Sequence, residues 1–372
     1  MGDDEMASYQ KRGKTWEYCI SQMVNGKSKP IRKGGFATKG EAKAEATDIE
    51  AGLQKGIVPH LKPEPFDKYF EEWLKLYKPH IGGNTRERYL NTLNTIREYF
   101  PGEAIQNITK RKYQAFLNSY GSTRAKGTAG KLNSHIRACV RDAIDEGIIR
   151  VDFTRKVVLS GSVPAKRPEE KHLNYFESKR LTQALEKPVA LSHYLILLGL
   201  TSGLRFGELV GLTRKDFDFK KSQINIDKTW GYTKKMHQGF GPTKNEHSVR
   251  KIKMDKTTMS IFKNYFDCTP DNILGLVFYS PSSKYKVLCN TAVNKVLKKI
   301  LGKLNIDPIS PHGLRHTHAS ILLYKRASIY YVSERLGHGD IETTLAYYAH
   351  IIKELREQDE TISAKTFEEL VG

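Results

Sequence analysis

With 372 residues, 61 Lys and Arg against 41 Asp and Glu and a formal charge of +20, the chain exceeds one ordinary core and is expected to form two or three domains. Hydrophobic residues at 39% and charged residues at 27% describe globular material, and no apolar run approaches the roughly 18 residues of a membrane span. So large a positive excess points to a polyanionic partner without separating DNA from RNA.

From Tyr9 to about Val58 the pattern predicts short strands and then a helix: KTWEYCISQ alternates, NGKSK turns, KPIRKGGF makes a second strand and KGEAKAEATDIEAGLQKG is helical. Lys11, Arg12, Lys14, Lys27, Lys29, Arg32 and Lys33 crowd this segment, with Glu17 the lone acid between Met6 and Gly40. A small sheet with one basic face, suited to lying on DNA, is the expectation. The start, MGDDEMASYQ, has no apolar stretch of signal-peptide type, so export is not expected.

Pro59, Pro63 and Pro65 punctuate a linker over 59–65. Phe66, Tyr69, Phe70, Trp73, Leu74 and Tyr77 then fall on one face of a helix. Tyr89, Leu93, Ile96 and Phe100 mark a second helix, Tyr113, Phe116, Leu117 and Tyr120 a third, and Leu132, Ile136, Val140 and Ile144 a fourth that stops at Gly147. Repetition at helical spacing assigns the aromatics to a core over 66–158 rather than to base stacking. Arg86, Arg88, Lys110, Arg111, Lys112, Arg124, Lys126 and Lys131 sit at helix starts and loops, where they can reach phosphates.

SGSVPAKRPEEK marks a second linker over 159–171, and a larger mixed α and β domain is expected over 172–350. Helices are predicted around Glu177–Leu185 and Leu191–Leu200, strands around Ile224, Ile226, Val249, Ile252 and Met254, and an amphipathic helix from Asn290 to Leu304. Residues 351–372 form a tail in which Phe367, Leu370 and Val371 share one face of a short helix. Cys19, Cys139, Cys268 and Cys289 are scattered and read as free thiols of a reducing cytoplasm.

Four segments carry polar residues that packing does not require. In TSGLRFGELVGL, Arg205 follows a Ser-Gly turn and Glu208 sits one turn on, placed to hold the guanidinium. GPTKNEHSVRKI puts Lys244 in a turn between strands, in a region that also holds Lys234, Lys235, Lys251 and Lys253. SPHGLRHTHAS sets His312 and Arg315 on one helix face. LGHGDIETTLAYYAH joins His338 to Tyr347 and Tyr348 through a helix that Asp340 can cap. His312, His316 and His318 lack an accompanying carboxylate or thiolate motif, so no metal site is assigned.

Together these segments resemble the tyrosine recombinases, especially the integrases of bacteriophages and conjugative elements. The ordered set Arg, Lys, His-x-x-Arg, His and Tyr is matched by Arg205, Lys244, His312, Arg315, His338 and Tyr348. The family's nucleophile lies nine or ten residues after the L-G-H histidine, a spacing that admits Tyr347 or Tyr348, and Tyr348 completes the Y-x-H ending with His350. The resemblance implies a mostly helical multidomain fold with small sheets. An arm-type DNA-binding domain would occupy 1–58, a helical core-binding domain 66–158 and the catalytic domain 172–350.

It further implies a site-specific recombinase without cofactor or metal, acting on core-type and arm-type sites of double-stranded DNA in a bacterial cytoplasm. Such an enzyme would assemble as a homo-tetramer with the tail docked on a neighbouring subunit, and would work with a directionality factor and a host DNA-bending protein. Arg205 and Arg315 would clamp the phosphate, each guanidinium offering paired donors at any working pH. Tyr348 would form a 3′-phosphotyrosyl ester, kept reactive because a phenol is a good leaving group. Lys244 would protonate the departing 5′ oxygen, and His312 and His338 would bind phosphate oxygens and help place or deprotonate the phenol. The competing readings are a catalytically silent DNA-binding accessory protein and a type IB topoisomerase, with RNA binding last because no ribonucleoprotein motif is present.

Overall fold

Alternating side chains near the N-terminus build a three-stranded antiparallel sheet in the computed structural model, which describes every residue except 1–6, 22, 25–26, 29, 55–62, 165–169, 171, 235, 343, 346–355 and 372. Strands β1 (Ala7–Arg12), β2 (Thr15–Ile20) and β5 (Ile31–Phe36) lie in the order β1-β2-β5, with the short pair β3 (Met23–Val24) and β4 (Lys27–Ser28) inserted between β2 and β5. Tyr18 and Ile20 of β2 pack on Ala42, Ala46 and Ile49 of helix α1 (Lys39–Gln54). The sequence pattern predicts two strands here, and β1 is the addition. ASYQKR has little apolar alternation and becomes a strand by pairing with β2 at the sheet edge.

The basic face is divided. Adjacent residues of a strand point to opposite sides, so Arg32 lies on the open face opposite Cys19 while Lys33 shares the helix side with Tyr18 and pairs with Glu45 of α1 at 2.6 Å.

Four helices follow in the same unit, which spans Met1–Ala165: α2 (Phe66–Tyr77), α3 (Gly83–Tyr99), α4 (Lys110–Gly121) and α5 (Lys126–Asp145). Phe66, Phe70, Trp73, Phe100 and Tyr113 are buried together, so the aromatic stripes are core. Two of their polar tips find partners within the bundle: Trp73 Nε1 donates to half-buried Asp142 at 2.6 Å and the Tyr113 hydroxyl to buried Asn133 at 2.9 Å. Gly147, at φ +74°, turns the chain after α5.

The second unit, Lys166–Gly372, is built around α7 (Leu191–Ser202), whose residues from Leu195 to Leu200 are all buried. Helix α6 (Tyr175–Ala184) precedes it, opened by a reciprocal cap between Asn174 and Glu177, and α8 (Phe206–Gly211) follows it. Strands β6 (Phe217–Asp218), β7 (Gln223–Ile226) and β10 (Arg250–Lys253) form an antiparallel sheet in the order β10-β7-β6, and β8 (Thr229–Trp230) pairs with β9 (Phe240–Gly241). Then come α9 (Lys256–Cys268), α10 (Asn290–Lys303), α11 (Pro311–Tyr324), α12 (Ile329–Leu336) and α13 (Arg356–Val371).

Val249, predicted in strand alternation, instead ends a short turn before β10 and is 54% exposed, whereas Ile252 and Met254 are buried. Helix α13 is longer than the tail pattern suggests, and it exposes Phe367 and Leu370. Among the described residues no helix is long and apolar enough to cross a membrane.

Candidate active site

Helix α7 ends on Gly203, whose left-handed φ of +70° turns the chain toward Arg205. A Cβ at Gly203 would stand 2.6 Å from Cδ2 of His318, so the position needs glycine for space as well. Arg205 opens α8 with its backbone N–H donated to Glu208 Oε2 at 3.0 Å. Its guanidinium donates to Glu208 Oε1 at 2.8 Å and Ser248 Oγ at 3.0 Å through Nη1, and to the Gly337 carbonyl at 2.9 Å through Nη2. Glu208, 1% exposed, also accepts from Arg250 Nη2 at 3.2 Å. Burial is the largest influence on this carboxyl and opposes ionisation, yet Arg250 and Arg205 together hold its pKa below the ordinary value.

Side chains from α11 and α12 close the C-terminal end of α7, where carbonyls carry the negative end of the helix dipole. Arg315 Nη1 donates to the Gly203 carbonyl at 2.9 Å and Arg335 Nη2 to that of Thr201 at 3.4 Å. His318 Nδ1 lies 2.8 Å from the Leu200 carbonyl, which fixes that nitrogen as the donor, and Nε2 accepts from Arg335 Nε at 2.9 Å. Desolvation, reinforced by Arg335, drives the His318 pKa down to about 3, so the ring is neutral.

Helix α12 ends on Gly337 at φ +67°, where a Cβ would meet Arg250 Nη1 at 2.9 Å, and this turn delivers His338. His338 Nδ1 is 2.7 Å from the hydroxyl of buried Thr344. Desolvation and then Arg315, Arg205, Arg250 and Lys244 lower its pKa to about 4. His312, in the first turn of α11, is pushed down by desolvation and by the same Arg315 and Arg205. It stands edge-on to His316, with ring centroids 4.9 Å apart.

Lys244 is exposed in the turn before β10, beside Asn245, whose side-chain oxygen accepts from the Ser248 hydroxyl. Arg205, Arg315, His312, His338 and Lys244 are therefore brought to one place. Tyr347, Tyr348 and His350 lie outside the described residues. The chain leads toward them from Asp340, which accepts the Glu342 N–H at 2.9 Å as a helix start does.

The basic residues predicted for DNA fall on several surfaces. Lys11, Arg12, Lys14 and Arg32 are exposed on the sheet and its first turn, with Arg12 paired to Glu17 at 2.8 Å and Arg32 Nε 3.3 Å from Cys19 Sγ. Lys29 and the Lys27 side chain are outside the described residues. In the helical bundle Arg86 and Arg88 lie near the start of α3, Arg111 and Lys112 open α4, and Lys126 and Lys131 lie in the first two turns of α5. Lys112 is held by Glu103 at 2.6 Å, and Arg124 stacks over Tyr120 at 4.1 Å.

Sequence reasoning missed Arg250, Ser248, Arg335 and Thr344, and it weighed His318 only within a histidine triplet. One signal was available for Arg250: it is in phase with Ile252 in β10, the inward face of the strand, where a cation needs a buried partner.

Comparison with known proteins gives the family. The profile of the phage integrase family matches residues 171–354, the arm DNA-binding domain residues 7–53, and the phage integrase N-terminal SAM-like domain residues 65–120. The chain belongs to the phage integrase family. It is a tyrosine recombinase of the phage or transposon integrase type.

Similar proteins include a tyrosine recombinase XerC-like protein of Caldanaerobacter subterraneus subsp. tengcongensis, 26% identical over 93% of this chain and 95% of the relative. The integrase of Staphylococcus phage L54a is 24% identical over 82% and 94%. Among solved structures, the Tn1549 transposon integrase in complex with a circular intermediate DNA superposes with a TM-score of 0.66 at 18% identity, covering 80% of this chain and 99% of the other. A lambda integrase tetramer bound to a Holliday junction gives 0.56 at 17% identity, covering 93% and 96%. At these identities the two structures speak for the fold.

Proposed function

We propose that Arg205, Arg315, His312 and His338 of this integrase bind the scissile phosphate of a DNA duplex, that Tyr348 attacks it and that Lys244 protonates the leaving oxygen. The phenolate oxygen bonds to phosphorus, the bond from phosphorus to the 5′ oxygen breaks, and the freed 5′ oxygen takes a proton from Lys244. The 5′ hydroxyl of a partner strand then reverses the step and expels the tyrosine. The observation that carries this reading is the convergence of Arg205 and Arg315 on His338. Among the described residues the hydrogen bonds of Arg205 leave its Nε and one Nη2 hydrogen for a ligand and Glu208 is the carboxylate paired with both Arg205 and Arg250, so an anionic phosphate completes the charge balance. A bound phosphate would offset the arginine charges that, with desolvation, lower the pKa of His338 and His312, and so let a ring accept or relay the tyrosine proton.

The same proposal assigns residues 1–58 to arm-type sites and 66–158 to core-type sites, joined by linkers at 59–65 and 159–171 to the catalytic domain over 172–350. Residues 351–372 dock on a neighbouring copy in a tetramer assembled on DNA in the cytoplasm, and a directionality factor and a host bending protein set the outcome. Incubation with a nicked suicide duplex tests the chemistry. A denaturant-stable protein–DNA complex is expected with the native chain and with Tyr347→Phe, and none with Tyr348→Phe. A complex lost with Tyr347→Phe and kept with Tyr348→Phe would move the nucleophile, and none with the native chain would leave a DNA-binding protein. Exchange of strands between two duplexes separates recombination from relaxation of a single duplex.

A further inference from the structure

Arg250 sits in the GPTKNEHSVRKI segment without belonging to the ordered set of site residues, yet its guanidinium stands where the three parts of the site meet. Its side chain is 7% exposed, too enclosed to serve as a phosphate ligand. Nη2 donates to Glu208, which holds Arg205. Nη1 donates at 2.8 Å to the carbonyl of Ser248, the residue whose hydroxyl accepts from Arg205 and donates to Asn245, next to Lys244. Nε donates at 2.7 Å to the carbonyl of Arg335, three residues before His338, and Gly337 leaves room for the guanidinium by lacking a Cβ.

We infer that Arg250 is a positioning residue for strand cleavage, the brace that fixes Arg205, the Lys244 turn and the His338 turn relative to one another. A planar fork with donors in three fixed directions is what the task requires, because an ammonium can satisfy the Glu208 charge but cannot span all three acceptors. The inference rests on the phosphate site proposed above. It separates binding from chemistry: the DNA contacts of the arm and helical domains do not pass through Arg250, whereas cleavage depends on sub-ångström placement of the reacting groups.

The test uses the full chain and a nicked suicide duplex containing the half-site mapped by footprinting the native protein. Arg250→Lys is expected to keep native affinity for this duplex and to stay folded at the assay temperature, with an unfolding midpoint lowered by the buried acceptors the ammonium cannot reach, while the single-turnover rate of covalent complex formation at saturating protein falls about 100-fold or more. Arg250→Ala, which vacates the brace, is expected to regain part of its rate when methylguanidinium is added, and an alkylammonium of similar size is expected to do less. An Arg250→Lys chain that cleaves at the native rate would overturn the inference, as would a rate loss explained by lost affinity or lost folding. A native chain that forms no covalent complex would remove the proposed chemistry itself and this role with it.

Discussion

Glu208 offers the sharpest energetic test of the site. Its carboxylate is 1% exposed and faces two guanidiniums, of which Arg250 is 7% and Arg205 23% exposed. Replacing Glu208 with Ala leaves Arg250 buried without its anion, and removing one partner of a buried pair costs about 3–5 kcal/mol. The larger share falls on Arg250, because water can reach Arg205 and screen it. Glu208→Gln keeps the shape but turns an amide N–H₂ toward donors of Arg205 or Arg250, so it is expected to lose nearly as much as Ala. Glu208→Asp keeps the charge and is expected to lose less. Urea unfolding followed by hydrogen exchange in peptides spanning α7 and α8 reads the effect where it arises. A Glu208→Ala chain within about 1 kcal/mol of native stability would refute the claim that the cluster is electrostatically coupled.

Three other outcomes follow from the geometry. Gly203→Ala forces a left-handed alanine, costing about 1–2 kcal/mol, and drives its methyl into the His318 ring, so both the unfolding midpoint and the cleavage rate should fall. His318 and His338 have folded pKa values of about 3 and about 4, below the unfolded histidine value of about 6.5. The unfolded chain therefore binds more protons in that interval, so the stability these residues contribute is complete above about pH 6.5 and is lost as pH falls toward 4 and then 3. Urea midpoints across that range, compared between native protein and His318→Gln, check it, and identical pH slopes would contradict it. In the arm domain Arg32→Ala should reduce the salt dependence of arm-site binding by about one phosphate's worth, whereas Lys33→Ala, which removes a group already paired with Glu45, should change it little.

Much of this architecture is legible in the order and spacing of the residues. The helices of the bundle follow from aromatic and aliphatic spacing, because burial acts on one face of a helix and leaves a period in the sequence. Arg205, His312, Arg315 and His338 are legible because their motifs come in a fixed order. What escapes is whatever depends on partners distant in sequence. Strand β1 has too few apolar residues to announce itself and owes its form to β2. Ser248 and Thr344 look like ordinary polar residues until Arg205 and His338 are set against them. The split between Arg32 and Lys33 is readable from alternation alone and is hidden when charges are counted along the segment instead of by face.

The closing of α7 by side chains from two later helices has a consequence for the life of the chain. Carbonyls of Leu200, Thr201 and Gly203 receive His318, Arg335 and Arg315, residues synthesised more than a hundred positions afterwards. A chain that ends before these helices thus leaves the C-terminal end of α7 without these three side-chain caps, and Arg205 just beyond it without Arg315. With the phosphate clamp proposed above, strand cleavage waits for the last helices and is lost when they loosen.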